Sequence, residues 1–373
     1  MRHLGVSLVV CLLTVGAWAT GQLPPVAQRH EVKQIIALDQ EQKIAFLLGV
    51  DQGGRVEFFS VPVYEVSGSS GRPYTDRLVR KDQGEILEIG GTGLGDLTRL
   101  IALLDIGKVF VFTVVPLSRQ PAPLAELSTP ERILQSAEGF KKMGTSHSHL
   151  VLQQGEKSLV VFDAKEFVER QRMASAVPIT DFRVEGDRMV VQAQQDVTIL
   201  DLQVKVLAQV KRPSPPIGIG AFESGFFIYD EKTLVILDRN GARTGEVKVD
   251  QAIKSVAAAR ESIAVLSGDR ALLFNRKGER LATLTGPFER LTSSANRFFL
   301  AKGQEIWVLD ALNGKRLKVI TLRNILENFT GLKRGLAIVV RQRDTNRLIY
   351  AVYDEQGDQL SLGFLLEFRG PRP

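Results

Sequence analysis

Residues 232–249 read KTLVILDRNGARTGEVKV, and this stretch decides the fold. Leu234, Val235, Ile236 and Leu237 form an unbroken apolar run, the mark of a strand buried on both faces. Asp238-Arg239-Asn240-Gly241 then supplies turn chemistry. An Asp carboxylate accepts hydrogen bonds from the backbone just ahead of it, and Asn-Gly tolerates positive φ. Val247 and Val249 carry a weaker alternation back the other way. The unit is a hairpin: buried strand, polar turn, half-exposed strand.

The same unit recurs along the chain. Its buried strands end at Asp163, Asp201, Asp238, Asn275 and Asp310, with Asp354 after a longer step and looser copies at Thr113 and Ser60. A spacing of about 37 residues signals a repeat architecture. Upstream of each hairpin lies a second apolar alternation, at 44–48, 100–104, 149–152, 189–191, 226–229, 263–266, 298–301 and 336–340. A fainter first strand precedes it, as at 179–184 and 255–258. Four short antiparallel strands per repeat make one propeller blade. The expected fold is all-β, a single β-propeller of seven or eight four-stranded blades, with eight favoured. Blades are expected at roughly 33–81, 82–128, 129–174, 175–212, 213–249, 250–286, 287–330 and 331–368. The first copy is irregular enough that its strands could instead complete the last blade. Only 96–104 and 322–330 carry spacing compatible with short helices.

Arg2, the apolar stretch 4–16 and Ala17-Trp18-Ala19 have the layout of a signal peptide cleaved after Ala19, leaving 20–32 as an extension. The apolar stretch is shorter than the ~20 residues a spanning helix needs, and no later run reaches that length. The expected location is the periplasm or the exterior, with no transmembrane segment after cleavage. The one cysteine, Cys11, lies inside the leader, which excludes disulfides and thiolate chemistry from the mature chain. With 24% charged residues and a formal net charge of +6, the composition is that of an ordinary globular protein. It lacks the basic stripe with stacking aromatics that nucleic-acid binding calls for, so nucleic acid is not an expected partner.

Several motifs invite a chemical reading. Gly90-Gly91-Thr92-Gly93-Leu94-Gly95 resembles a phosphate-cradling loop, but a strand rather than a helix is expected next, which favours a plain glycine turn. His147 and His149 would share one face of a strand, yet a metal needs three or four ligands, so no metal is expected. Gly144-Thr145-Ser146-His147-Ser148 misses the final glycine of the nucleophile elbow. The acid pair Asp230-Glu231 reads as a solvated turn, and Trp307 as inter-blade packing. No catalytic residue is assigned.

One weak pattern has geometric logic. The links between blades are read as basic, at Arg80, Lys81, Arg170, Arg172, Lys211, Arg212, Arg323, Lys333 and Arg334. If they converge, they form a positive rim for an anionic partner. The insertions 61–80 and 114–128 are the other expected contact surfaces.

The apolar-strand–Asp–x–x–Gly units between 160 and 357 resemble bacterial secreted propellers of the broad WD-like and quinoprotein-like group. The stretch 306–319, IWVLDALNGKRLKV, is similar to the quinoprotein repeat, with Leu317 and Val319 where its tryptophan would follow. The vicinal cysteines and the Gly-His and Trp-Asp pairs of those groups have no counterpart, and no cofactor is expected. The resemblance implies a non-catalytic scaffold contacting proteins, with envelope assembly as one such role and anionic polysaccharide or lipid headgroups as further partners. The alternative is a secreted enzyme acting on carbohydrate or lactone substrates at the central channel.

Overall fold

Eight apolar clusters organise the molecule, and each lies between two consecutive sheets. The second strand of the seventh sheet, Arg297–Lys302, shows how. Phe298 and Leu300 point into the cluster shared with the sixth sheet, while Phe299 and Ala301 point into that shared with the eighth. Alternate residues of one strand thus serve opposite neighbours, which is why these strands read as continuous apolar runs. An eighth cluster, with Phe46 and Tyr64 on one side and Val339 and Tyr350 on the other, joins the last sheet to the first. The sheets therefore close into a ring.

The computed structural model describes residues 29–38, 43–52, 55–66, 75–93, 97–114 and 130–365. It is an eight-bladed propeller, each blade a four-stranded antiparallel sheet in sequential order. The strands span 29–80, 86–134, 140–174, 181–211, 218–248, 253–285, 290–321 and 325–364 in blades 1 to 8. The first strands of blades 1 and 5 to 8 include Arg29–Leu38, Gly218–Phe222 and Ile325–Leu332, and that of blade 8 lies against that of blade 1. First strands line the channel and fourth strands form the outer wall.

Blade 1 is complete in itself, so its strands do not finish the last blade. Two stretches with helical spacing are strands instead, Arg99–Leu104 and Ile325–Leu332. The second of these opens blade 8, which therefore starts before 331; a register shift between Leu326 and Asn328 disguises its alternation. The three-residue strand Arg132–Leu134 closes blade 2 beyond 128, and the first strand of blade 1 begins at Arg29 rather than 33. The segment 1–19, expected to be a leader, and most of the insertion at 114–128 lie outside the described residues. Among the described residues no helix is long and apolar enough to cross a membrane.

The recurring Asp does the turn work its spacing suggests. In blade 5, Asp238 Oδ1 accepts from the amides of Asn240 (2.8 Å) and Ala242 (2.9 Å). Asp201, Asn275 and Asp354 each accept from the amides two and four residues on. The turn is also an inter-blade lock. Gly314 in the blade 7 turn has φ 71°, and a Cβ there would sit 2.3 Å from the Cβ of Ala282 on the outer strand of blade 6. Blades 3 and 4 solve the same problem differently: Phe167 and Val204 hold φ 53° and 64° and pack onto the preceding blade. A non-glycine residue pays strain for that backbone, of order 1 kcal/mol or more.

Candidate binding surface

Alternating strand direction sorts every loop onto one of two faces. Inter-blade links and second-to-third-strand turns open on one, the link face. First-to-second and third-to-fourth-strand turns open on the other, the turn face.

This sorting divides the nine basic residues. Arg80 ends the outer strand Thr75–Arg80 and Lys81 opens the short turn Lys81–Gln83, both leading into a link. Lys211, Arg212 and Arg323 also lie on the link face, where Arg212 pairs with Asp230 of the next blade. Arg170 and Arg172 are instead on the outer strand Glu169–Ala174, paired with Asp163, Glu166 and Glu169. Lys333 and Arg334 follow Ile325–Leu332 inside blade 8 and so belong to the turn face. The nine residues are split among two faces and the wall.

The other motifs are absorbed by packing. Gly90 and Gly91 lie within the strand Ile86–Thr92, where a Cβ would meet Thr145 at 2.7 Å and Leu38 at 2.0 Å, so they serve close approach of neighbouring inner strands. His149 Nδ1 is 2.8 Å from the Ser148 hydroxyl. Among the described residues no group of three His, Asp or Glu side chains is placed to hold a metal. Trp307 packs edge-on to Phe288 with ring centroids 5.3 Å apart, under the Arg316 guanidinium at 4.4 Å.

The turn face carries the most developed surface. Its first-to-second-strand turns are stitched to one another by backbone hydrogen bonds. The Gly93 amide donates to the His147 carbonyl (2.8 Å), that of Arg260 to Ala295 (2.8 Å) and that of Ala295 to Lys333 (3.0 Å). Two adjoining clefts sit on this rim. One of about 400 Å³ is lined by Glu223, Asp238, Arg239, Arg260, Glu261 and Arg276. The other, about 190 Å³, shares Arg260 and Glu261 and adds Asn296, Arg297, Leu312 and Glu355. Arg260 grips Glu223 through Nε (3.1 Å) and Nη2 (3.0 Å), and Asn296 Nδ2 donates to Glu355 (3.0 Å). Leu312 stands beside them 66% exposed.

Inside the mouth, burial pushes the Glu185 carboxyl above its ordinary range and the negative charge of Glu223 adds to this; Lys333 and Arg239 oppose it. Lys333 belongs to the blade diametrically across the ring, so charges from opposite sides meet in the channel. Further in, burial likewise raises Glu88, against the Met143 amide and the charges of Lys142 and Arg183. Nothing in the sequence marked Glu185 or Glu88, because the environment of each is made by three separate blades. Arg239 and Arg276 were visible only as turn residues following Asp238 and Asn275.

No family model matches the sequence, and no curated protein matches it. Solved structures with a similar fold include Sqt1 of Saccharomyces cerevisiae, at 11% identity over 91% of this chain and 97% of that one, with a TM-score of 0.59. BamB of Moraxella catarrhalis shares 13% identity over 75% of this chain and 91% of that one, at a TM-score of 0.50. The computationally designed Ika8 protein is also similar, at 13% identity, 78% and 88% coverage and a TM-score of 0.54. A natural yeast protein, a natural bacterial protein and a designed one thus share this architecture with almost no sequence in common: what they share with this chain is the propeller fold.

Proposed function

We propose that the protein is a non-catalytic binding propeller of the periplasm or cell exterior that holds a protein partner on its turn face. The observation that carries this reading is the stitched rim of that face, with two adjoining clefts, several arginines and a protruding leucine. Rigid turns lose little freedom on binding, and arginine flanking an exposed apolar residue is the composition enriched in protein interfaces. The leader-like segment at 1–19 supports the location. Arg80, Lys81, Lys211 and Arg323 on the link face are the remaining candidates for contact with anionic polysaccharide or lipid headgroups, Arg212 being held by Asp230.

The competing reading, hydrolysis of a carbohydrate or lactone, needs two cooperating carboxylates with one free to act as base or nucleophile. Glu185 has the raised proton affinity of an acid, but both oxygens of its neighbour Glu223 are engaged by Arg260. That geometry favours binding over hydrolysis.

The test is affinity capture from envelope extracts with wild type, Leu312→Asp and Arg276→Glu, alongside Arg323→Glu on the link face. A central interface residue is worth about 2 kcal/mol, so each turn-face change should lower recovery of the captured protein more than tenfold while the link-face change leaves it intact. Equal recovery by all four, with unfolding midpoints unchanged, refutes the reading.

A further inference from the structure

The outer strand of blade 8, Gln359–Phe364, differs from every other outer strand of the ring. Its sequence QLSLGF has no charged residue. The outer strands of the other seven blades all have at least one, such as Arg132, Lys211, Arg280 and Lys318. Charged side chains on a sheet edge are the usual protection against pairing with another strand. Blade 8 lacks it.

The backbone register makes the contrast position by position. Ala351 and Ile349 of the third strand pair with Leu362 and Phe364. The matching positions on the outer strands are Glu246 and Lys248 in blade 5 and Thr283 and Thr285 in blade 6. Leu360, Leu362 and Phe364 are 51%, 51% and 52% exposed, while Ser361 between them is buried. The result is an apolar stripe along the terminal strand of a sheet.

We propose that this edge pairs with the same edge of a second copy of the chain. A twofold axis sets each residue near its own copy, so a charged edge repels itself; this outer strand carries no charge of its own, and the Arg347 guanidinium, 5.9 Å over the Phe364 ring, lies at the strand's end rather than at the axis. Antiparallel pairing centred on Leu362 sets Leu362 opposite Leu362 of the second copy and Leu360 opposite Phe364. All six apolar side chains then lie on one face of a continuous eight-stranded sheet. A slip of one residue would throw the two stripes onto opposite faces, so the register is specified. The contact is distinct from the turn face and does not depend on its role.

Sedimentation velocity of the full chain over a concentration series tests the proposal, together with Leu362→Lys and, in a Cys11→Ser background, Leu362→Cys and Thr283→Cys. The expected result is a concentration-dependent dimer that Leu362→Lys weakens at least tenfold. Mild oxidation should convert Leu362→Cys, but not Thr283→Cys, to a disulfide-linked dimer. The crosslink reads the register even if the lysine variant folds poorly. A monomer at every concentration overturns the proposal, as does a dimer that neither crosslinks at 362 nor responds to Leu362→Lys.

Discussion

Two contacts between blades, the seam joining blade 8 to blade 1 and the contact joining blade 6 to blade 7, are built from different residues. At the seam three large buried rings meet. Tyr64 and Tyr350 have centroids 4.5 Å apart, and Phe46 lies 5.4 Å from Tyr350 and 5.7 Å from Tyr64. Between blades 6 and 7 the core includes Ala257, Ala259, Ala264, Ala271 and Ala311, and the Gly314 turn sits almost on the backbone of its neighbour. Blades 6 and 7 are joined by a short link, so they meet at little entropic cost, and alanines share their core with Phe288, Phe298 and Trp307. Blades 8 and 1 are brought together from opposite ends of the chain. Closing that loop costs more, and burial of the three packed rings helps to offset it. Among the described residues no strand is exchanged to latch the ring; the seam relies on side chains.

That comparison is broken or sharpened by three substitutions. Tyr350→Ala empties the centre of the seam and should cost about 3–5 kcal/mol, the range for deleting a large buried aromatic. Urea unfolding followed by intrinsic fluorescence measures it, and an unchanged midpoint would mean the rings do not hold the ring shut. Gly314→Ala forces a Cβ against Ala282 and should cost about 1–3 kcal/mol by overpacking. A neutral result by the same measurement would show that the close approach between blades 6 and 7 can relax. Tyr64→Phe keeps the ring but removes the hydroxyl that donates to the Phe364 carbonyl at 3.3 Å, and should cost about 1 kcal/mol. A loss as large as that of Tyr350→Ala would shift the weight of the seam from packing to this hydrogen bond.

Much of the fold was legible because its signals are local. The strand ending at Asp238 and its turn sit within a few residues, so the second and third strands and the turn role of Asp could be read directly. Reading failed where alternation is interrupted. The bulge in Ile325–Leu332 spaced its apolar residues like a helix and moved Lys333 and Arg334 onto the wrong side of a blade boundary. The strand Arg132–Leu134 is too short to show a period at all. The binding surface was less legible. Its clefts gather Glu223, Arg239, Arg260 and Arg276 from four turns of two blades, and the seam joins Tyr64 to a residue 300 positions away. Contacts of that kind leave no spacing to count.

The sequential order of strands within each blade has a consequence for how the molecule is made. Synthesis runs from blade 1 to blade 8, so each new sheet can settle on the one finished just before it. The free side of the first sheet, with Phe46 and Tyr64, has no such neighbour until Tyr350 emerges. For most of its birth the chain is an open crescent whose first sheet keeps a greasy side bare, and the eighth blade is what hides it.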